Sequence, residues 1–240
     1  MSDSPQHLTE GARRLHAIVR TALSRGIWLV LTAQLVLILS LQWRVPEGES
    51  PLLASFAIFL TALALMLFFY LQAGAFHALA QGRDALLVEE VLRGGKAVFS
   101  AFVWLTLKAG LLLMAVINVV TFFVVFVGGY DLKATAQWLT SVFGPMSGVL
   151  SFIFAYWLPW VFVRREFSLL PSLRAALKIA WTRLPQSAFL ALMMLAPLLA
   201  SLFLPADGPL WLDLAVTLVG GILGWVAYVY CVEVLQEASS

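Results

Sequence analysis

The chain has 240 residues, of which 62% are hydrophobic and only 12% are charged. Soluble domains contain about 25% charged and about 45–50% apolar residues, so a soluble fold could not keep this much apolar surface from water. The net charge of +2 argues against nucleic-acid binding, and the single cysteine, Cys231, excludes an internal disulfide bond and any metal site built from several cysteines. The composition therefore predicts an integral membrane protein.

Six apolar runs are long enough to cross a hydrocarbon core of about 30 Å as helices that rise about 1.5 Å per residue. They predict an all-α integral membrane protein with six transmembrane helices. The second run begins after Pro51 and is longer than a bilayer requires, so we expect it to tilt or to project into the cytoplasm. In chain order the runs cover residues 26–43, 52–80, 109–127, 142–163, 186–204 and 210–232.

The lysine and arginine residues are concentrated in alternate connections between these runs. All but two of the 15 lie in the N-terminal segment or in the second and fourth connections, and the exceptions are Arg44 and Lys133. Because positively charged residues are retained on the cytoplasmic side, this distribution predicts that both termini are cytoplasmic. Lys108 fits this orientation at the cytoplasmic edge of the third run, from which its side chain can extend to the interface. The alternative is a functional lysine buried in the membrane.

Three segments on the predicted cytoplasmic side, residues 8–24, 84–98 and 168–183, carry apolar residues at helical spacing and basic residues largely on another face. Such amphipathic helices lie in the membrane interface with their cations toward anionic headgroups. We therefore predict that lipid headgroups or a partner protein contact five basic residues of the last cytoplasmic region. These are Arg164, Arg165, Arg174, Lys178 and Arg183.

Each amphipathic segment precedes a pair of predicted spans, which divides a single membrane domain, residues 1–240, into three hairpin units. The units cover residues 1–80, 81–165 and 166–240, and each contains an interfacial helix, a span out and a span back. Units of the same orientation would be parallel repeats related by an axis along the membrane normal. The alternative is that short connections impose the same rhythm on any protein built from membrane hairpins.

This plan resembles that of a loose group of bacterial proteins, which includes the YciC-type inner-membrane proteins and the membrane domain fused to some glycerophosphodiester phosphodiesterases. The resemblance covers residues 50–235. Four stretches carry it: 74–78 (Gly-Ala-Phe-His-Ala), 93–95 (Arg-Gly-Gly), 164–168 (Arg-Arg-Glu-Phe-Ser) and 172–177 (Ser-Leu-Arg-Ala-Ala-Leu). The resemblance implies a multipass protein of the bacterial inner membrane. It implies no established activity, transfers no catalytic residue, and the soluble phosphodiesterase domain has no counterpart in this sequence.

Small and polar residues inside the predicted spans are interpreted as packing features. Gly220 and Gly224 have the spacing that lets two membrane helices approach closely. Gln34 and Asn118 fall near mid-depth, where a hydrogen bond between helices contributes about 0.6 kcal/mol. These four residues are predicted to hold the bundle together.

We identify no catalytic, cofactor-binding or metal-binding motif in the sequence. Glu89 and Glu90, followed by Arg93, are similar to the paired-glutamate motif of intramembrane CAAX-type proteases, but the arginine comes one residue too early. We interpret these residues as the solvated face of an interfacial helix. A cluster of His77 with the two glutamates and the arginine around a buried pocket would instead indicate a membrane enzyme.

The basic amphipathic segments and the lack of reactive residues favour a non-enzymatic protein, a scaffold or accessory subunit that acts on lipids or on partner membrane proteins. We expect membrane lipids as partners, with a partner membrane protein or a homo-oligomer as further candidates, and neither nucleic acid nor a cofactor. The alternative function is transport of lipids or small hydrophobic molecules, through a site near Asn118, Pro159 and Pro197. A membrane enzyme is the least favoured alternative.

Overall fold

The computed structural model describes residues 10–43, 50–82, 86–129, 131, 135, 150–151, 154–203 and 209–237, and only the backbone of residues 197–203. The regular secondary structure of these residues is entirely helical, which confirms the predicted all-α class. The helix Val88–Phe122 passes at its end into a π-helical turn, Phe123–Val127. The described helices are α1 (Glu10–Leu23), α2 (Arg25–Gln42), α3 (Pro51–Ala80), α4 (Val88–Phe122), α5 (Trp157–Arg164), α6 (Leu169–Thr182), α7 (Leu184–Phe203) and α8 (Leu210–Glu237).

Four helices of the described residues are long and apolar enough to cross a membrane: α2, α3, α4 with its π-helical turn, and α8. The described apolar part of α7, residues 184–196, is shorter. Of the predicted run 142–163, residues 142–149 and 152–153 lie outside the described residues. The chain is thus a helical protein with several helices suited to a membrane, whereas the six-span count and the three-hairpin arrangement stay predictions.

Most of the apolar surface of α3 and α4 faces outward. In the most apolar 18-residue stretch of α4 no residue is buried inside the chain, and in that of α3 only 6% are. Leu52, Ile58 and Phe59 on α3 and Phe126 and Val127 after α4 are all exposed. Apolar surface of this extent is unfavourable in water, and hydrocarbon is the solvent that accommodates it. The burial pattern therefore supports the membrane prediction.

Helices α3 and α4 pack backbone against backbone at three glycines. A Cβ atom on Gly74 would lie 1.9 Å from the carbonyl oxygen of Val91 and 2.7 Å from the amide nitrogen of Gly95. A Cβ atom on Gly94 would lie 2.6 Å from the carbonyl oxygen of Gly74, and one on Gly95 would lie 2.7 Å from Cε1 of Tyr70. These positions leave no room for a side chain, which is how small residues let membrane helices approach closely.

An aromatic cluster around Phe76 joins the end of α3 to three other helices. The centroid of the Phe76 ring lies 4.3 Å from that of Tyr228, 4.9 Å from that of Trp225, 5.4 Å from that of Phe162 and 6.1 Å from that of Phe102. The Tyr228 hydroxyl also donates to the carbonyl oxygen of Phe76 at 2.9 Å. Aromatic pairs at such separations contribute about 0.5–1.5 kcal/mol each beyond their buried area. The cluster thus fixes α4, α5 and α8 around the end of α3.

Two of the three predicted amphipathic segments are separate helices. Helices α1 and α6 are each 14 residues long, and a single residue separates each of them from the helix that follows. The third segment is not separate, because α4 runs without a break from Val88 to Phe122. Residues 88–98 and 109–122 therefore share one helix. Lys108 lies exposed on it, with Nζ 5.4 Å from the centroid of the Trp104 ring.

Candidate functional site

Helix α6 packs on the rest of the chain through small residues. Its buried positions are Ser172, Ala176 and Ala180, which recur every fourth residue and form one face. The indole nitrogen of Trp157 donates to the Ser172 hydroxyl at 2.8 Å and links α6 to α5. Leu173 and Ile179 also pack partly against the core, and the exposed side chains of α6 form its outward surface.

The outward surface of α6 places apolar and basic side chains side by side. Leu177 and Trp181 are exposed, the latter to 75%. Arg174 and Lys178 are exposed next to them, and neither forms an ion pair with the described part of the chain. Arg183, at the end of the helix, is half-buried. An apolar stripe bordered by long cations suits the membrane interface, where the side chains can extend toward headgroups.

The two remaining predicted basic contacts lie at the end of α5, directly before α6. The Cζ atom of Arg164 lies 5.2 Å from the centroid of the Trp160 ring. Arg165 ends the helix in the left-handed conformation, with φ of 53°. Both side chains are exposed. The structure therefore brings the five predicted basic residues onto two consecutive helices and their flanking residues.

Helix α1 is inverted relative to an amphipathic helix of a soluble protein, which would bury its apolar face. The residues that α1 buries are Arg13, Ala17, Arg20 and Thr21. The large apolar residues that it exposes are Leu15, Ile18, Val19 and Leu23. The expectation that the cations of this segment point toward headgroups is therefore wrong for its two buried arginines. The reason is that α8 supplies carboxylates on that side.

The buried arginines of α1 pair with two glutamates in the last turns of α8. The guanidinium group of Arg13 lies 2.5 Å from a carboxylate oxygen of Glu237. Glu233 Oε1 lies 2.7 Å from Nδ1 of His16 and 3.6 Å from Nη1 of Arg20. Arg13, Arg20 and Glu233 are only 8%, 5% and 8% exposed, and such charges are tolerated when they are paired. Sequence reasoning missed these pairs; the only signal was two glutamates four residues apart at the end of an apolar helix.

Glu10 extends the same charge network at the start of α1. Its carboxylate accepts from the Tyr230 hydroxyl at 2.6 Å and from Nε of Arg14 at 3.1 Å. Partial burial alone would raise the pKa of Glu10, but the hydrogen bonds from Tyr230 and Arg14 and the charges of Arg14 and Arg13 outweigh it. The pKa of Glu10 therefore lies below its ordinary value, and the carboxylate is ionised at neutral pH.

A cavity of about 260 Å³ lies among α2, α3, α5, α7 and α8. The side-chain amides of Gln34 and Gln72 line it, and neither forms a hydrogen bond with the described part of the chain. Much of the remaining wall is aromatic and includes Phe68, Phe154 and Trp225. Its described lining contains no Asp, Glu, Lys, Arg or His. The cavity is therefore polar in part but uncharged.

Only some of the residues predicted for a transport site line this cavity. Pro159 lines it, whereas Asn118 is exposed on α4 and is not among the lining residues. Gln34, which was predicted to form a hydrogen bond between helices, also lines the cavity. Pro159 lies in the first turn of α5, where a missing amide hydrogen is tolerated. Residues 150, 151 and 154 are also helical, and a turn at Ala155 and Tyr156 separates them from α5. Pro197 lies within α7, which continues to Phe203.

The glycines of α8 differ in their surroundings. A Cβ atom on Gly221 would lie 2.6 Å from Cδ2 of Leu31 and 3.1 Å from Oε1 of Gln34, so Gly221 lets α2 and α8 approach. A Cβ atom on Gly224 would meet nothing within 4 Å, and Gly224 lines the cavity. The tight contact among the described residues therefore involves Gly221, and the packing role of Gly224 stays a prediction. For Gly220 packing stays a prediction.

A second pocket, of about 210 Å³, lies where α3 ends and α4 begins, and His77, Glu90 and Arg93 line it. The Nε2 atoms of His77 and Gln81 are 2.6 Å apart, and the Glu90 carboxylate accepts from the backbone amide of Leu87 at 3.0 Å. Glu89 is exposed and is not among the lining residues. The two glutamates are thus not brought together, and Glu90 stabilises the start of α4 as a capping residue.

No protein-family model matches the chain. No curated protein and no solved structure gives a significant match either. The resemblance carried by residues 74–78, 93–95, 164–168 and 172–177 therefore stays a prediction.

Proposed function

We propose that the chain is a non-enzymatic multipass membrane protein, a scaffold or accessory subunit that associates with anionic lipids or partner membrane proteins through its cytoplasmic side. The proposal includes six spans in three hairpins, cytoplasmic termini and a location in the bacterial inner membrane. The observation that supports it is the outward surface of α6, where exposed Arg174 and Lys178 border exposed Leu177 and Trp181. Cations beside an apolar stripe can bind headgroups while the stripe contacts acyl chains.

Helix α1 supports the same proposal in a different way. Its apolar face is outward, but Arg13 and Arg20 are already paired with carboxylates of α8. Helix α1 therefore contributes apolar contact more than charge. The exposed basic residues of α6 and of the end of α5 therefore supply most of the attraction to anionic lipids. These are the residues whose charge a test should remove.

The test is a variant that carries R174Q, K178Q and R183Q. A basic residue near an anionic surface contributes about 1 kcal/mol, so three contribute about 3 kcal/mol, or roughly a hundredfold in affinity. We expect the variant to retain far less phosphatidylglycerol than the unmodified chain in native mass spectra of protein released from mixed-lipid nanodiscs. A variant with R174K and R183K keeps the charge and should retain the lipid. Unchanged retention in the neutral variant would contradict the proposal.

Transport of lipids or small hydrophobic molecules is the second candidate function, and the cavity beside Gln34 and Gln72 favours it. A site between spans that is polar but uncharged suits a substrate that partitions into the bilayer. Protein reconstituted into vesicles should then accelerate movement of a fluorescent neutral lipid between leaflets. Rates equal to those of protein-free vesicles would exclude transport of that lipid while leaving the scaffold proposal standing.

A further inference from the structure

We infer that the cavity among α2, α3, α5, α7 and α8 binds the head of an uncharged amphiphile that carries hydrogen-bonding oxygens. The inference deepens the second candidate function, since it names the ligand class of the same cavity. It rests on the cavity lining and not on the cations of α6, so binding here and lipid retention at α6 can succeed or fail separately.

The two side-chain amides define the polar part of the site. Gln34 comes from α2 and Gln72 from α3, and both line the cavity without a hydrogen bond to the described part of the chain. A carboxamide presents two donor hydrogens and an acceptor oxygen. Both side chains are half-buried, and their amides are available to form hydrogen bonds with a ligand carbonyl or hydroxyl. Gly221 supports this arrangement, because its missing side chain leaves room for the Gln34 oxygen.

The absence of charge in the described lining sets the second requirement. A phosphate or carboxylate head would be removed from water without a counter-ion among the described lining residues, which is strongly unfavourable. The Tyr228 hydroxyl is already used, since it donates to the carbonyl oxygen of Phe76 at 2.9 Å. The aromatic walls formed by Phe68, Phe154 and Trp225 suit an apolar or planar group.

The size and position of the cavity indicate how such a ligand would bind. At about 260 Å³ it is slightly smaller than the roughly 300–1,000 Å³ of sites that enclose a drug-sized molecule. It can hold a head group but not a long chain. Three of the helices that surround it, α2, α3 and α8, are candidate membrane spans. The apolar tail would therefore extend from the cavity into the bilayer.

Two neutral probes distinguish the two kinds of amphiphile, a diacylglycerol and a quinone, that could supply such oxygens. Dioctanoylglycerol presents ester and hydroxyl oxygens, and decylubiquinone presents carbonyl oxygens on a planar ring. Dioctanoylphosphatidic acid is the charged comparison. Equilibrium binding to the detergent-solubilised chain is measured by native mass spectrometry. We expect at least one neutral probe to bind about tenfold more tightly than the acid does at this cavity, and the better probe identifies the source.

Gly224 provides a variant that fills the cavity without a backbone clash. Gly224 lines the cavity and its Cβ position is open, so G224L should place a leucine side chain in the cavity. Gly110 on α4 is the matched control, since its Cβ position is also open and it does not line the cavity. Binding at the cavity is defined as the part of the probe binding that is lost in the G224L variant and retained in the G110L variant. Comparable melting temperatures show that both variants are folded.

The glutamines provide an independent variant in case G224L fails to fold. The double variant Q34L and Q72L removes the polar groups and should weaken the neutral probe at least about tenfold. Binding of neither neutral probe, equal binding by G224L and G110L, or tighter binding of the acid at the cavity would each overturn the inference. Binding without vesicle flux would uphold it and remove transport as the function.

Discussion

Substituting Gly74 by alanine tests the backbone contact between α3 and α4. The added Cβ atom would lie 1.9 Å from the carbonyl oxygen of Val91, and real Cβ atoms do not approach closer than 3.0 Å. Because the obstructing atom is backbone, the helices must separate by about 1.1 Å, the difference between those distances. Overpacking costs about 1–3 kcal/mol, and the better helix propensity of alanine offsets up to about 1 kcal/mol. Because a backbone atom cannot rotate away, we expect the upper end of that cost, about 3 kcal/mol, and a net loss of roughly 2 kcal/mol in the free energy of unfolding.

Thermal unfolding in mild detergent measures this loss. For a chain of this length 1 kcal/mol corresponds to about 2–4 °C, so Gly74→Ala should melt about 4–8 °C below the unmodified chain. Gly110→Ala is the matched control, because it adds a Cβ atom on α4 that meets nothing within 4 Å. It should melt at the same temperature as the unmodified chain or slightly higher. Equal melting of the two variants would refute the close contact.

Three further predictions concern α1 and the orientation of the chain. Arg13→Ala removes the buried guanidinium group that pairs with a carboxylate of α8, so the amide hydrogens of α1 should exchange roughly 30-fold faster, which corresponds to about 2 kcal/mol. Arg14→Ala removes an exposed ion pair with Glu10 and should increase exchange by less. Because the pKa of Glu10 is lowered in the folded chain, its stabilising contribution is complete above its ordinary pKa and is lost as the pH falls through the folded-state value. Amide exchange of α1, corrected for the intrinsic rate, should therefore become faster as the pH falls. Exchange of α1 that does not change with pH would exclude this role for Glu10. In a cysteine-free background, a cysteine at Ser50 should react with a membrane-impermeant thiol reagent added outside and one at Arg174 should not, and the reverse result would overturn the predicted orientation.

Helix positions were largely predictable because they depend on local signals. The predicted runs 26–43, 52–80 and 210–232 correspond to α2, α3 and α8, since apolar length and turn chemistry are read directly from neighbouring residues. At the start of α3 the Ser50 hydroxyl accepts from the amide of Leu53 at 3.4 Å, as its position before Pro51 favours. The continuity of α4 was not predicted, because the end of the interfacial segment was placed where the residues change from polar to apolar. Such a change does not interrupt backbone hydrogen bonds, so one helix runs through it.

The candidate sites were predictable only where one helix carries them. The periodicity of residues 168–183 indicated the basic surface of α6, and the structure leaves Arg174 and Lys178 exposed there. The cavity needs Gln34 and Gln72, which line it together only because α2 packs on α3. Likewise, the contact of Gly74 with α4 depends on which helices are neighbours. Periodicity within one segment holds no information on that choice, so these features required the fold.

Helix α1 shows why periodicity defines two faces without deciding which one is buried. In water the apolar face turns inward, because its removal from solvent is the main gain of folding. Here Arg13 and Arg20 turn inward to paired carboxylates, while Leu15 and Leu23 remain exposed. In water this arrangement would remove charges from solvent and leave apolar surface in contact with solvent, and both changes are unfavourable. Beside hydrocarbon the exposure of the apolar face is favourable instead, since acyl chains can cover it. The inverted burial of α1 therefore supports the prediction that the helix lies in the membrane interface, and this support comes from charge pairing and not from hydropathy.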